Sequence, residues 1–118
     1  MTKAAIFVLA DTATEEDLGR LVNALAVVQE FKETGDKVQL IFDGTGTRWP
    51  GILARPDHIA YGLYQETRDQ IVGVCSFCAN AFGATESVKS NGLKLLDEAN
   101  GHPSIKQLLA EGYQVLTF

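Results

Sequence analysis

The sequence predicts an α/β fold, a three-layer α/β/α sandwich built on a mostly parallel five-stranded sheet. Three observations predict it. Short apolar runs alternate with helical patterns along the whole chain. The first run, Ala4–Ala10, is apolar at every position, as a strand buried on both faces is. The chain has 118 residues, 46% of them apolar, which is the size of a single domain spanning 1–118. A chain of that size buries roughly two-thirds of its unfolded surface and needs no disulfide or structural metal to fold.

Each element has its own signal. Thr14 can cap a helix, and Asp17 sits where the acid of a capping box belongs. Leu18, Leu21, Val22, Leu25, Val28 and Phe31 then recur on one helical face, and Gly35 supplies the stop. Val38–Phe42 reads as the second strand, followed by Asp43-Gly44-Thr45-Gly46-Thr47, a loop needing unusual backbone angles and closed by Trp49-Pro50. Pro56-Asp57 suits the first turn of a helix with Ile59, Leu63 and Tyr64 inward. Ile71–Val74 is the third strand and runs into Cys75-Ser76-Phe77-Cys78. A short helix is expected over Ala79–Gly83, extended or followed by another through Val88. Leu93, Leu95 and Leu96 mark a short fourth strand. Ser104–Glu111 reads as a helix with Ile105, Leu108 and Leu109 inward. Gly112 ends it, and Tyr113–Phe118 is the last strand.

Composition removes several function classes. The formal net charge is −5, so the basic footprint of a nucleic-acid-binding protein is missing and anionic lipid is disfavoured. No apolar run approaches the ~20 residues of a membrane span. The opening apolar run leads into Asp11 and the acidic Glu15-Glu16-Asp17, which reads as a strand rather than an export signal and places the thiols in a reducing cytoplasm. Two cysteines are too few for a disulfide framework, and for a metal centre unless His58 and His102 join them; no metal is expected.

Open parallel sheets bind ligands outside the carboxyl ends of their strands. Three loops, Ala10–Thr14, Asp43–Pro50 and Cys75–Cys78, should therefore share one edge. Cys75 and Cys78 lie where a buried strand hands over to a helix, whose free N–H groups and partial positive charge favour a thiolate. The pair suits nucleophilic sulfur transfer or dithiol–disulfide exchange. The competing reading is two small buried apolar residues. Asp43 and Gly44 begin a loop able to cradle an anion through backbone N–H groups, although it lacks the lysine and spacing of a phosphate-binding loop. Asp11 is a candidate to orient a substrate or polarise a cysteine, against the plainer reading of an aspartate bonded to its own turn. Trp49, Tyr61 and Tyr64 are candidates for a subunit interface. His58 reads as a surface residue, and His102, in a turn before Pro103, receives no role.

Val72-Gly73-Val74-Cys75-Ser76-Phe77-Cys78-Ala79-Asn80-Ala81-Phe82-Gly83 resembles the DsrE/DsrF-like family. The first strand with its long helix, the Asp43-Gly44 loop and the ending Leu108–Leu116 are similar to it as well. The resemblance implies a small α/β/α domain that assembles into homo- or hetero-oligomers, and a cytoplasmic sulfur relay. In that relay the cysteine at Cys75 accepts sulfane sulfur as a persulfide and passes it on, and Cys78 matches a second cysteine of some relatives. Phe82 stands where relay members often carry an arginine, which leaves the helix terminus as the main stabiliser of a thiolate. The expected function is thus sulfur handling without an organic cofactor. Cys75 attacks a donor persulfide and Cys78 resolves it, with donor and acceptor proteins or small thiols as partners. A non-catalytic oligomeric binding module with buried cysteines and a C-x-x-C dithiol oxidoreductase remain the alternatives.

Overall fold

The structure, a computed structural model, describes residues 1–118. Strands β1 (Lys3–Val8), β2 (Lys37–Phe42), β3 (Ile71–Cys75), β4 (Leu95–Leu96) and β5 (Gln114–Thr117) form one sheet in the order β4-β3-β2-β1-β5. Every neighbouring pair is parallel. Helices α1 (Glu15–Thr34), α2 (Trp49–Leu53), α3 (Tyr61–Thr67), α4 (Ser76–Ala81), α5 (Thr85–Ser90) and α6 (Ile105–Ala110) flank it. No helix is long and apolar enough to cross a membrane.

The alternation of side chains along each strand sorts the core into two faces. On one, Ala4, Ile6, Val8, Leu40, Phe42 and Val74 meet Leu21, Leu25 and Val28 of α1, together with Leu53, Tyr64, Ala79 and Val88 of α2–α5. On the other, Ala5, Phe7, Ile41 and Leu96 meet Leu108 of α6. Ala4–Val8 is buried on both faces, which is why that segment carries no polar alternation. Each fully buried Leu, Ile or Phe contributes about 1.5–3 kcal/mol relative to exposure.

α1 begins as the sequence indicates. The Thr14 side chain accepts the Asp17 N–H, and the Asp17 carboxylate accepts the Thr14 N–H. Gly35, at φ 74°, ends the helix in the left-handed conformation that glycine adopts without steric cost. Lys32 ties the far end of α1 to the Glu66 carbonyl of α3 and to Asp69 just beyond it.

Several local expectations are corrected. The Asp43–Thr47 loop takes the unusual backbone angle expected of it at Gly44, at φ 55°, but Gly44–Arg48 closes into a 3-10 helix leading into α2, with Gly46 and Thr47 buried. A Cβ on Gly46 would stand 2.2 Å from the Val8 carbonyl oxygen, so only glycine lets this turn seat against β1. Trp49 is buried and donates its indole N–H to the Ala10 carbonyl, and Tyr64 is buried beneath α1. Neither side chain is available as a subunit contact, and Tyr61 is half-buried. α3 starts at Tyr61 rather than Pro56, because Arg55–Ala60 closes into turns, which leaves Ile59 84% exposed. α4 starts at Ser76, directly after β3. In α6, Leu108 alone is buried, and Ile105 and Leu109 face out.

Candidate functional site

Cys75 is both the last residue of β3 and the N-cap of α4. Its sulfur occupies the position in which a serine or threonine oxygen usually caps a helix, and it accepts the Cys78 N–H at 3.5 Å. One helical turn brings Cys78 round to the same side.

The third partner comes from a distant turn. Ala99 and His102 exchange both backbone hydrogen bonds, at 2.8 and 3.0 Å. Between them Asn100 and Gly101 take φ values of 54° and 91°, the left-handed pair that an Asn-Gly hairpin turn requires. The Gly101 carbonyl accepts the Phe77 N–H at 2.8 Å, which docks the turn on the start of α4. His102 thereby sets Nδ1 3.3 Å from the Cys75 sulfur, with its ring against Phe77 at 4.8 Å between centroids. The fourth partner, Asp43, follows β2, the strand beside β3. One of its carboxylate oxygens accepts the Gly44 N–H at 2.8 Å. Donor atoms of Asp43, Cys75, Cys78 and His102 all lie within 4.8 Å of one another.

Burial distinguishes the two thiols. Cys75 has no exposed surface, whereas Cys78 is half-buried. Burial, with the negative field of Asp43 added, pushes the Cys75 thiol up to about 12, and the Cys78 N–H opposes this only in part. The expectation that the helix terminus lowers this thiol is therefore reversed: α4 is a short helix, and desolvation outweighs its field.

The structure brings Cys75, Cys78 and Asp43 together as the strand-edge argument expects, and Gly44 serves through its backbone. Asp11 stands apart. Its carboxylate pairs with Arg48 at 3.2 Å and accepts the Thr12 N–H. Arg48 also donates to the Phe82 carbonyl at 3.1 Å and lies over the Phe82 ring, so a guanidinium from another element sits beside Phe82. His58 is not part of the cluster; its Nδ1 accepts the Ala60 N–H. His102 is the member of the cluster to which sequence reasoning gave no role. The available signal was Asn100-Gly101 immediately before it, a turn dipeptide able to fold the histidine back.

No family model matches the chain. Among solved structures, the ychN protein from E. coli aligns over the whole of both chains with a TM-score of 0.62 at 18% identity. A conserved protein of unknown function, BT1422 from Bacteroides thetaiotaomicron, aligns over 97% of this chain and 94% of its own, also at 0.62, with 14% identity. At these identities the likeness is one of fold. The uncharacterized protein MJ0733 of Methanocaldococcus jannaschii is 32% identical over 96 residues, covering 81% of this chain and 78% of its own. The chain belongs to the same protein family as MJ0733.

Proposed function

We propose that this protein handles sulfane sulfur on the Cys75/Cys78 pair, with Cys78 as the receiving thiol. One observation carries the reading: a half-buried thiol stands beside a fully buried one whose sulfur faces a histidine nitrogen at 3.3 Å. The resemblance of Val72–Gly83 to the DsrE/DsrF-like family supports it, with the order of the two cysteines exchanged because Cys75 has no surface to offer a donor. On this reading the protein is a cytoplasmic homo-oligomer exchanging sulfur with donor and acceptor proteins or small thiols.

The chemistry balances without a cofactor. The Cys78 thiolate attacks the outer sulfur of a donor persulfide, the donor leaves as its thiolate, and Cys78 becomes a persulfide. An acceptor thiolate then takes the outer sulfur and releases Cys78. Alternatively, Cys75 passes its proton to His102 and attacks the inner sulfur of the Cys78 persulfide. Hydrosulfide leaves, takes up that proton as hydrogen sulfide, and a Cys75–Cys78 disulfide remains.

Intact-mass spectrometry after treatment with an inorganic polysulfide tests this. One added sulfur atom is expected on the wild type, none on Cys78→Ser, and a longer-lived adduct on Cys75→Ala, which has lost the resolving thiol. Labelling that survives Cys78→Ser overturns the assigned order. Wild-type and Cys75→Ala chains that both take up no sulfur overturn the function and return the chain to a binding module.

A further inference from the structure

Asp43, Cys75, Cys78 and His102 present two sulfurs, one imidazole nitrogen and one carboxylate oxygen within 4.8 Å of one another. We propose that these four residues form a tetrahedral site for a zinc-class divalent cation. Metal binding is a separate property of the cluster and does not rest on sulfur transfer.

The donor set selects the ion. Two thiolates and an imidazole favour zinc and its borderline-soft neighbours, whereas calcium and magnesium require several oxygens, of which the cluster offers one residue's worth. A Cys-x-x-Cys pair is a common half of a zinc site. The geometry is close to that needed. With Zn–S near about 2.3 Å and Zn–N near about 2.0 Å, a tetrahedral sulfur–nitrogen edge is about 3.5 Å. The Cys75 sulfur and His102 Nδ1 stand 3.3 Å apart. The widest donor pair has to close by about 1 Å, within the reach of a side-chain torsion at half-buried Cys78 or Asp43.

The surroundings hold the donors in place. The Gly44 N–H fixes one Asp43 oxygen and leaves the other for an ion. The Cys78 N–H points at the Cys75 sulfur. The Asn100-Gly101 turn and the Phe77 ring set the histidine so that Nδ1 faces inward. Charge argues the same way. No lysine or arginine is hydrogen-bonded to any of the four, and the guanidinium of Arg48 is engaged by Asp11 and the Phe82 carbonyl. A divalent ion supplies the missing positive charge, and its binding displaces the two thiol protons to solvent. With four protein ligands the coordination is closed, so the ion clamps the ends of β2 and β3 to the 99–102 turn and leaves no open position for a substrate. Loaded protein has both thiolates engaged and is closed to thiol-alkylating reagents.

Cobalt(II) titration of the reduced, metal-free full chain tests the site. The expected result is one ion per chain, with the strong visible absorption of tetrahedral cobalt, a near-ultraviolet thiolate-to-cobalt charge-transfer band, and loss of both on adding one equivalent of zinc. Cys78→Ser and His102→Ala weaken binding by about 100-fold or more. Asp43→Asn weakens it about 10-fold, and His58→Ala has no effect. Metal-free thermal melting of each variant separates loss of a ligand from loss of the fold. A wild type without the charge-transfer band, or folded Cys78→Ser and His102→Ala chains that bind cobalt as tightly as the wild type, overturns the proposal.

Discussion

Cys75 is defined by what surrounds it rather than by its residue type. A thiol at a helix N-terminus is usually an acidic one, but this sulfur has lost its water and faces Asp43 across the strand ends. Two consequences follow for metal-free protein at neutral pH. Iodoacetamide should label Cys78 at least about tenfold faster than Cys75, as read by peptide mass spectrometry, and equal rates would contradict the burial argument. The pH dependence has a definite sign. The folded-state value of about 12 lies above the ordinary 9.0, so the unfolded chain loses this proton first. The stabilisation is fully present below the ordinary value and is lost as pH rises toward about 12, with a slope of at most about 1.4 kcal/mol per pH unit. Urea denaturation from neutral pH upward should show this decline in the wild type and a flatter profile in Cys75→Ala.

At the scale of elements, the site depends on two short pieces, the β3–α4 junction and the 99–102 turn. Gly101 is the joint between them. Its φ of 91° suits no side chain, and an added Cβ would press the Phe77 Cβ at 3.4 Å. Gly101→Ala should destabilise the chain by about 1–2 kcal/mol and loosen His102 from Cys75. Faster alkylation of Cys75, beyond what the fall in stability explains, is the measurement that detects the loosening. The same contrast explains what the sequence made legible. α1 was readable at both ends because a capping box, a repeating apolar stripe and a terminal glycine all agree. α4, with its six residues, has too few turns to show a period, and its cap is a cysteine, so the sequence signals it only from Ala79, three residues past its start. α3 begins later than its sequence signal because Pro56 imitates a helix start in a stretch that turns instead.

At the scale of the molecule, the parallel sheet and the shared strand edge were legible in the alternation of strands and helices. The cluster at that edge was legible only in part. Cys75 and Cys78 are close in sequence, and Asp43 ends a neighbouring strand, but His102 reaches them through a turn 27 residues away that carries no apolar pattern. The sequence also hid an asymmetry between the two faces of the sheet. α1 to α5 cover one face with a core of 18 buried residues, whereas the other relies on a group of 5 under α6. Neighbouring strands differ as well: interior β1 is buried from Ala4 to Val8, whereas edge strand β5 is mostly exposed and pairs with β1 alone. Stability should follow this distribution. Leu25→Ala, in the thick layer, should cost about 3–5 kcal/mol, and Leu108→Ala, in the thin one, about 2–3 kcal/mol, both read from urea midpoints. Hydrogen exchange should be slowest in β1 and β2 and fastest in α6, β4 and β5. Equal protection in β5 and β1 would mean that a further surface, such as a second copy of the chain, covers the thin face in solution.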